Sequence, residues 1–70
     1  MTVSHLIRSL GGPAIVGRAL GIRSQAVSQW IRSNRIPIRR VPELLRFAER
    51  RKVRLSASAM RPDVDWGALR

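Results

Sequence analysis

Residues 13–31, which read PAIVGRALGIRSQAVSQWI, decide the fold of this chain. Gly17 and Gly21 lie four residues apart in this stretch, and Val27 and Trp30 follow in its second half. Two short helices cross at a sharp angle when a small residue lies at the crossing, a glycine with positive φ forms the turn and apolar side chains fill the angle. The spacing therefore predicts a helix-turn-helix with Gly17 at the crossing and Gly21 in the turn. Val27 and Trp30 are predicted to face inward.

The rest of the chain is divided by glycine and proline into short segments with helical apolar spacing. The predicted helices cover residues 3–10, 13–20, 24–33 and a segment from Pro42 to near Lys52. Thr2 or Ser4 is expected to cap the first helix, and Pro13 suits the first position of the second. The apolar positions of the second helix, Val16, Ala19 and Leu20, are predicted to face inward. Residues 34–40 are predicted to form a basic connector.

The C-terminal part of the chain leaves two alternatives open. Val53 and Leu55 flank Arg54 in the alternation typical of a short strand, whereas residues 56–60 fit one helical turn capped by Ser56. Residues 63–70 are predicted to be an extended or partly disordered tail. The expected organisation is thus one domain over residues 1–62, with the helix-turn-helix at 13–33, and a tail over 63–70.

For two side chains of the tail, the sequence leaves alternative roles open. Trp66 either docks on the domain or on a partner subunit, or it is exposed in the tail. Asp63 is expected to cap a turn or to pair with an arginine.

Charge is the strongest compositional feature. The chain has 70 residues, 14 Lys and Arg against 4 Asp and Glu, a net charge of +10, and Lys52 as its only lysine. Arginine presents a planar fork of donors that matches phosphate and the guanine edge, so the composition favours a polyanion as partner. A solvated surface without a partner is the alternative. Too few large apolar residues are present to anchor a basic helix on a membrane.

The composition also excludes several classes of protein. No cysteine is present, so neither a disulfide nor a thiolate metal site is expected. No signal peptide and no membrane span is predicted, which favours a cytoplasmic, nucleoid-associated protein of a bacterial cell. With one histidine and 4 acidic residues, no catalytic constellation, metal site or cofactor is predicted, and the chain is not expected to be an enzyme.

Two runs within the predicted helix-turn-helix, residues 19–22 (ALGI) and 26–30 (AVSQW), resemble the Cro-like repressors of lambdoid phages and the YdaS-type Cro-like proteins of prophage toxin–antitoxin loci. Residues 55–64 (LSASAMRPDV) resemble the end of YdaS-type domains, which often finish in Leu-Arg-Pro-Asp; here Met60 replaces the leucine. The resemblance covers roughly residues 5–65. It implies an all-α, lambda-repressor-like domain of four to five short helices.

The resemblance makes the third helix a recognition helix that enters the major groove of DNA. With Val27 and Trp30 inward, the outward polar residues are the candidate base readers, Ser24, Gln25, Ser28 and Gln29. Glutamine pairs bidentately with adenine, and serine contacts any base. The alternative is a polar solvent face without a ligand. These families usually have Ser or Thr before the helix, where this chain has Arg23, so either Ser24 becomes the cap or the cap is lost.

Arginines around the recognition helix are candidates for phosphate contacts, which orient a protein on DNA without reading sequence. They are Arg23, Arg32, Arg35, Arg39 and Arg40. Arg35 could instead enter a minor groove, and all five could be a solvated charge run. The sequence as a whole predicts a Cro-type transcriptional repressor that binds an inverted-repeat operator as a homodimer. The alternative is a YdaS-type antitoxin or anti-regulator that binds a protein partner through its tail as well as DNA.

Overall fold

The computed structural model describes residues 2–69, and over this range the protein is all-α, as predicted. Its α-helices are α1 (Val3–Ser9), α2 (Pro13–Leu20), α3 (Ser24–Ser33), α4 (Val41–Arg50) and α5 (Ala57–Met60). Short 3-10 helices cover Ile38–Arg40 and Trp66–Leu69. The predicted boundaries of the first four helices are correct to within two residues.

Side-chain caps and a proline mark the beginnings of three helices. The Thr2 Oγ1 atom accepts a hydrogen bond from the His5 N–H at 3.2 Å, so Thr2 and not Ser4 caps α1. Pro13 is the first residue of α2. The Ser56 Oγ atom accepts from the Ala59 N–H at 3.1 Å and caps α5. The helical turn is therefore the correct alternative for residues 56–60, and residues 53–55 belong to no strand in the described chain.

The turn between α2 and α3 has the predicted geometry. Gly21 has φ 71° and ψ 30°, in the left-handed region that favours glycine. Gly17 is buried, and a Cβ atom there would lie 2.9 Å from the Ile22 carbonyl oxygen and 3.2 Å from the Ser24 nitrogen. The backbone of the turn thus rests directly on the α-carbon of Gly17, which explains the need for a small residue.

Side chains from all five α-helices and from the connector between α3 and α4 form the core. Val27 is fully buried and Trp30 is 7% exposed, so both face inward as predicted. The other core residues are Val3, Leu6, Ile7, Leu10, Val16, Ile36, Val41, Leu44, Phe47, Ala48 and Met60. Ile36 is fully buried although it lies in the segment predicted only as a basic connector.

The prediction that Ala19 faces inward is wrong. Ala19 is exposed, and it lines a depression of about 460 Å³ between α2 and the charged face of α4. Val16 and Gly17 supply the buried side of α2 instead, with Leu20 partly buried against the core. Ala19 lies beyond the edge of that side, in a depression that it shares with charged side chains of α4, among them Glu43 and Arg46.

The tail is folded and not extended, contrary to the prediction for residues 63–70, of which residue 70 lies outside the described range. After a turn it forms the 3-10 helix Trp66–Leu69. The Trp66 side chain is partly buried against the core, and its Nε1–H donates to the Arg61 carbonyl oxygen at 3.0 Å. Docking on its own domain is therefore the correct alternative for Trp66, because the indole gains both apolar contact and a hydrogen-bond partner there.

Candidate nucleic-acid interface

The N-terminus of α3 begins at Ser24 without a side-chain cap. Arg23 is at the N-cap position with φ −75° and ψ 147°, and it makes no capping hydrogen bond. The side-chain cap is therefore lost. Ser24 is the first residue of the helix and does not act as a cap in place of residue 23. No acidic residue lies in the first turn. The unpaired N–H groups and the helix dipole therefore leave this end of α3 electropositive.

The outward residues of α3 are not equivalent. Ser24, Gln25 and Gln29 are exposed, whereas Ser28 is half-buried. Gln25 and Gln29 are four residues apart and therefore lie on the same face of the helix. The two glutamines are exposed, whereas Val27 is fully buried and Trp30 is 7% exposed, so the polar residues face outward as the sequence predicts.

A groove of about 510 Å³ runs along this exposed side of α3. Its floor is largely apolar and consists of Ala26, Trp30 and Pro37. Polar side chains line the rest, namely Gln25, Gln29, Ser33, Arg35 and Arg61. The fold thus brings both glutamines together with Arg35, which follows α3 in the chain, and no acidic residue among residues 2–69 lines the groove.

The five arginines predicted to contact phosphate are spread around α3. Arg23 precedes the helix, and Arg32 lines a shallow depression of about 240 Å³ beside Gln29. Arg39 is exposed in the 3-10 helix that follows the connector. Arg40 is half-buried, and its NH1 group donates to Glu43 Oε1 at 3.0 Å. The guanidinium of Arg40 is therefore already engaged by a carboxylate, which makes Arg40 the weakest of the five candidates for a phosphate contact.

Arg61 is a residue at this site that the sequence analysis missed. Its NH1 group donates to the Ile36 carbonyl oxygen at 2.9 Å, and its Nε and NH2 groups donate to the two carboxylate oxygens of Asp63 at 2.9 and 2.7 Å. The prediction that Asp63 pairs with an arginine is thus confirmed. Opposite charges two residues apart around Pro62 were a signal for the pair, but nothing local indicates that Arg61 reaches Ile36.

Asp63 also lies near a second guanidinium. The NH2 group of Arg35 is 3.7 Å from the Oδ2 atom of Asp63. The pKa of the Asp63 carboxyl is lowered to about 2, chiefly because the carboxylate accepts hydrogen bonds from Arg61, with smaller Coulombic contributions from Arg61 and Arg35. The same hydrogen bonds raise the pKa of Arg61. Asp63 is consequently ionised throughout the neutral range.

Comparison with known proteins identifies one family. Residues 3–69 match the family described as bacterial toxin YdaS. No curated protein and no solved structure matches the chain significantly. The match supports the YdaS part of the resemblance found in the sequence, and it contains nothing specific to the Cro-like repressors of lambdoid phages.

Proposed function

We propose that this chain, which belongs to the family described as bacterial toxin YdaS, binds double-stranded DNA in a sequence-specific manner and represses transcription. In this proposal α2, the Gly21 turn and α3 act as a DNA-binding helix-turn-helix. Helix α3 enters the major groove, and its N-terminal half faces the base edges.

The observation that carries the proposal is the groove along α3, where Gln25, Gln29 and Arg35 converge. Glutamine forms two hydrogen bonds with the N6 and N7 atoms of adenine, and arginine does so with O6 and N7 of guanine. The apolar floor offers contact to a thymine methyl group. Side chains of these types along one exposed groove form a surface suited to reading the edges of bases.

Charge supports the same proposal. The net charge of +10 favours association with a phosphate backbone. Arg23 and Arg32 lie at the two ends of α3, and Arg39 is exposed beyond the connector. These positions suit phosphates on both sides of the major groove, so the arginines orient the helix while the glutamines select the sequence.

Repression requires a bound state that excludes polymerase from a promoter. We expect a homodimer whose two α3 helices enter successive major grooves about 34 Å apart, so that the operator is an inverted repeat. If each subunit neutralises about four phosphates, the binding constant depends on salt with a log–log slope of about −7.

The test is a selection of binding sites from a randomised duplex library, followed by Gln25→Ala. The wild-type protein should enrich an inverted repeat. Gln25→Ala should lose the base preference at one position of each half-site, at a cost of about 1–3 kcal/mol for the preferred base. An equal loss of affinity for all sequences would show that Gln25 does not read a base. Failure to enrich any duplex at low salt would refute the proposal itself.

A second candidate function is that of a YdaS-type antitoxin or anti-regulator, which agrees with the matched family in the name YdaS. In it the protein acts in a prophage toxin–antitoxin locus and binds a protein partner through its tail in addition to DNA. Trp66 is engaged with the core, so the portion of the tail beyond it is the segment to test. Deletion of residues 67–70 should abolish capture of the partner and leave DNA binding intact. Retained capture would exclude these residues as the partner site.

A further inference from the structure

Arg61 lines the α3 groove, and its hydrogen bonds determine the position of the Asp63 carboxylate. Only 11% of the Arg61 side chain is exposed. One side of its guanidinium donates to the Ile36 carbonyl oxygen, and the other side holds both carboxylate oxygens of Asp63. The Trp66 indole additionally donates to the Arg61 carbonyl oxygen. Backbone and side chain of Arg61 are both restrained, so the position of the Asp63 carboxylate is determined by the tertiary structure.

The Asp63 carboxylate forms an ion pair with Arg35 but does not accept a hydrogen bond from its guanidinium. Its NH2 group lies 3.7 Å from Asp63 Oδ2, which is an ion-pair distance but too long for a hydrogen bond. Of the Arg35 side chain 68% is exposed, and its guanidinium makes no hydrogen bond with residues 2–69. The donors of the Arg35 fork are therefore available to a ligand, while the nearby charge restricts where the fork lies.

We propose that Asp63 is a positioning residue that directs Arg35 toward a guanine base, so that Arg35 reads sequence together with Gln25 and Gln29. The inference rests on the proposed DNA-binding function and assigns Arg35 a role other than the phosphate contact expected from the sequence.

Two physical arguments favour a base over a phosphate as the ligand of Arg35. A carboxylate beside the guanidinium repels an approaching phosphate, because like charges in proximity destabilise the complex. The guanine edge carries no net charge and offers the O6 and N7 acceptors that match the arginine fork. Asp63 also reduces the number of orientations that Arg35 samples before binding, which lowers the entropic cost of binding.

The experiment compares three variants in the selection from randomised duplexes. Asp63→Asn removes the positioning charge. Glu49→Gln is the matched control, because it removes one negative charge from an exposed position on α4 that does not line the groove. Arg35→Lys keeps the positive charge but loses the bidentate fork. It changes an exposed side chain, so it tests the proposal even if Asp63→Asn loosens the tail.

The wild-type protein should prefer guanine at one position of each half-site. Asp63→Asn and Arg35→Lys should each reduce that preference about tenfold, and combining them should reduce it no further. Glu49→Gln should keep the preference. Both charge-removing variants should bind random duplex more tightly than the wild type.

The inference is overturned if Asp63→Asn and Glu49→Gln give the same preferences at every position, or if Arg35→Lys keeps the guanine preference. In those cases an enriched duplex still supports DNA binding by α3. If the wild type enriches no duplex, the proposed function and the inference fail together.

Discussion

Gly17 and Gly21 permit the crossing of α2 and α3 for different reasons. At Gly17 the restriction is steric, because a Cβ atom would meet turn backbone at 2.9 and 3.2 Å. At Gly21 a Cβ atom would have no neighbour within 4 Å, and the restriction is the positive φ of 71°. A side chain at 21 therefore costs conformational energy only, whereas one at 17 displaces backbone.

Gly17→Ala should destabilise the protein more than substitutions at Gly21. Alanine gains about 1 kcal/mol of helix propensity over glycine, but overpacking at 2.9 Å from rigid backbone costs about 3 kcal/mol or more. The net cost at Gly17 is therefore about 2 kcal/mol or more. Gly21→Ala should cost about 1–2 kcal/mol, and Gly21→Asn less, because asparagine tolerates the left-handed region. Urea denaturation measures the order. Gly67→Ala, whose Cβ would make only an ordinary contact of 3.4 Å, is the control, and a destabilisation there as large as at Gly17 would contradict the argument.

The Asp63 carboxylate makes stability depend on pH in the acid range. Its pKa falls from 3.8 to about 2 on folding because it accepts hydrogen bonds from Arg61. A carboxyl group whose pKa is lowered by folding stabilises the native state fully above its unfolded pKa and loses this effect as pH falls through the folded pKa. The difference in stability between wild type and Asp63→Asn should be constant above about pH 5 and shrink between about pH 4 and 2. Thermal denaturation of both proteins across this pH range measures the difference in stability. A difference that persists unchanged at pH 2 would show that it does not arise from the ionised Asp63 carboxylate.

At the scale of elements, Asn34 joins the end of α3 to the beginning of α1. It terminates α3 with φ 54° and ψ 40° in the left-handed region. Its side-chain Oδ1 atom accepts a hydrogen bond from the Val3 N–H at 2.9 Å, across 31 residues of sequence. One residue thus ends the proposed recognition helix, directs the chain toward Arg35 and satisfies a free N–H at the start of another helix.

Substitutions of Asn34 should separate these effects. Asn34→Gly keeps the left-handed backbone and loses only the hydrogen bond, for an expected cost of about 1 kcal/mol. Asn34→Ala loses the bond and also strains the backbone, for about 2–3 kcal/mol in total. Denaturation gives both values, and amide exchange at Val3 should accelerate in both variants. Equal stability of the two variants would mean that the left-handed conformation contributes nothing.

At the scale of the whole molecule, the acidic side chains of residues 2–69 all lie outside the lining of the α3 groove. Glu43 and Glu49 both lie on α4, away from the α3 groove, whose lining over residues 2–69 contains no acidic side chain. Arg50 and Arg51 lie with their guanidinium carbons 5.7 and 5.6 Å from the centroid of the Phe47 ring. Packing on an aromatic ring thus gives these two arginines a structural contact independent of any DNA.

Arg39→Ala should weaken DNA binding uniformly across sequences, because an interaction with phosphate carries no base information. The log–log salt slope should become less negative by about one unit, since one phosphate fewer is neutralised. Titration of selected and random duplexes at several salt concentrations measures both quantities. Arg51→Ala, which removes the same charge from the Phe47 ring, is the control and should leave the slope nearly unchanged. A change in base preference with Arg39→Ala would exclude a role limited to phosphate.

Local sequence was enough to predict the α2–turn–α3 geometry and the inward side chains of Val27 and Trp30. It narrowed the cap of α1 to Thr2 or Ser4 and gave the Ser56-capped turn as one of two alternatives. Each of these depends on residues within one or two helical turns, where backbone sterics and apolar periodicity determine the outcome. It was also enough to nominate Gln25 and Gln29, whose common face follows from the helical repeat alone.

Contacts between distant segments were decided only by the tertiary structure. Burial of Ile36, exposure of Ala19 and docking of Trp66 depend on which element packs beside each residue, and periodicity within one segment does not contain that information. The bond from Arg61 to the Ile36 carbonyl spans 25 residues, and through it Asp63 comes to lie beside Arg35. Side chains far apart in sequence meet because burial of apolar surface brings their backbones together, and polar groups then pair with whatever partners that packing places within reach.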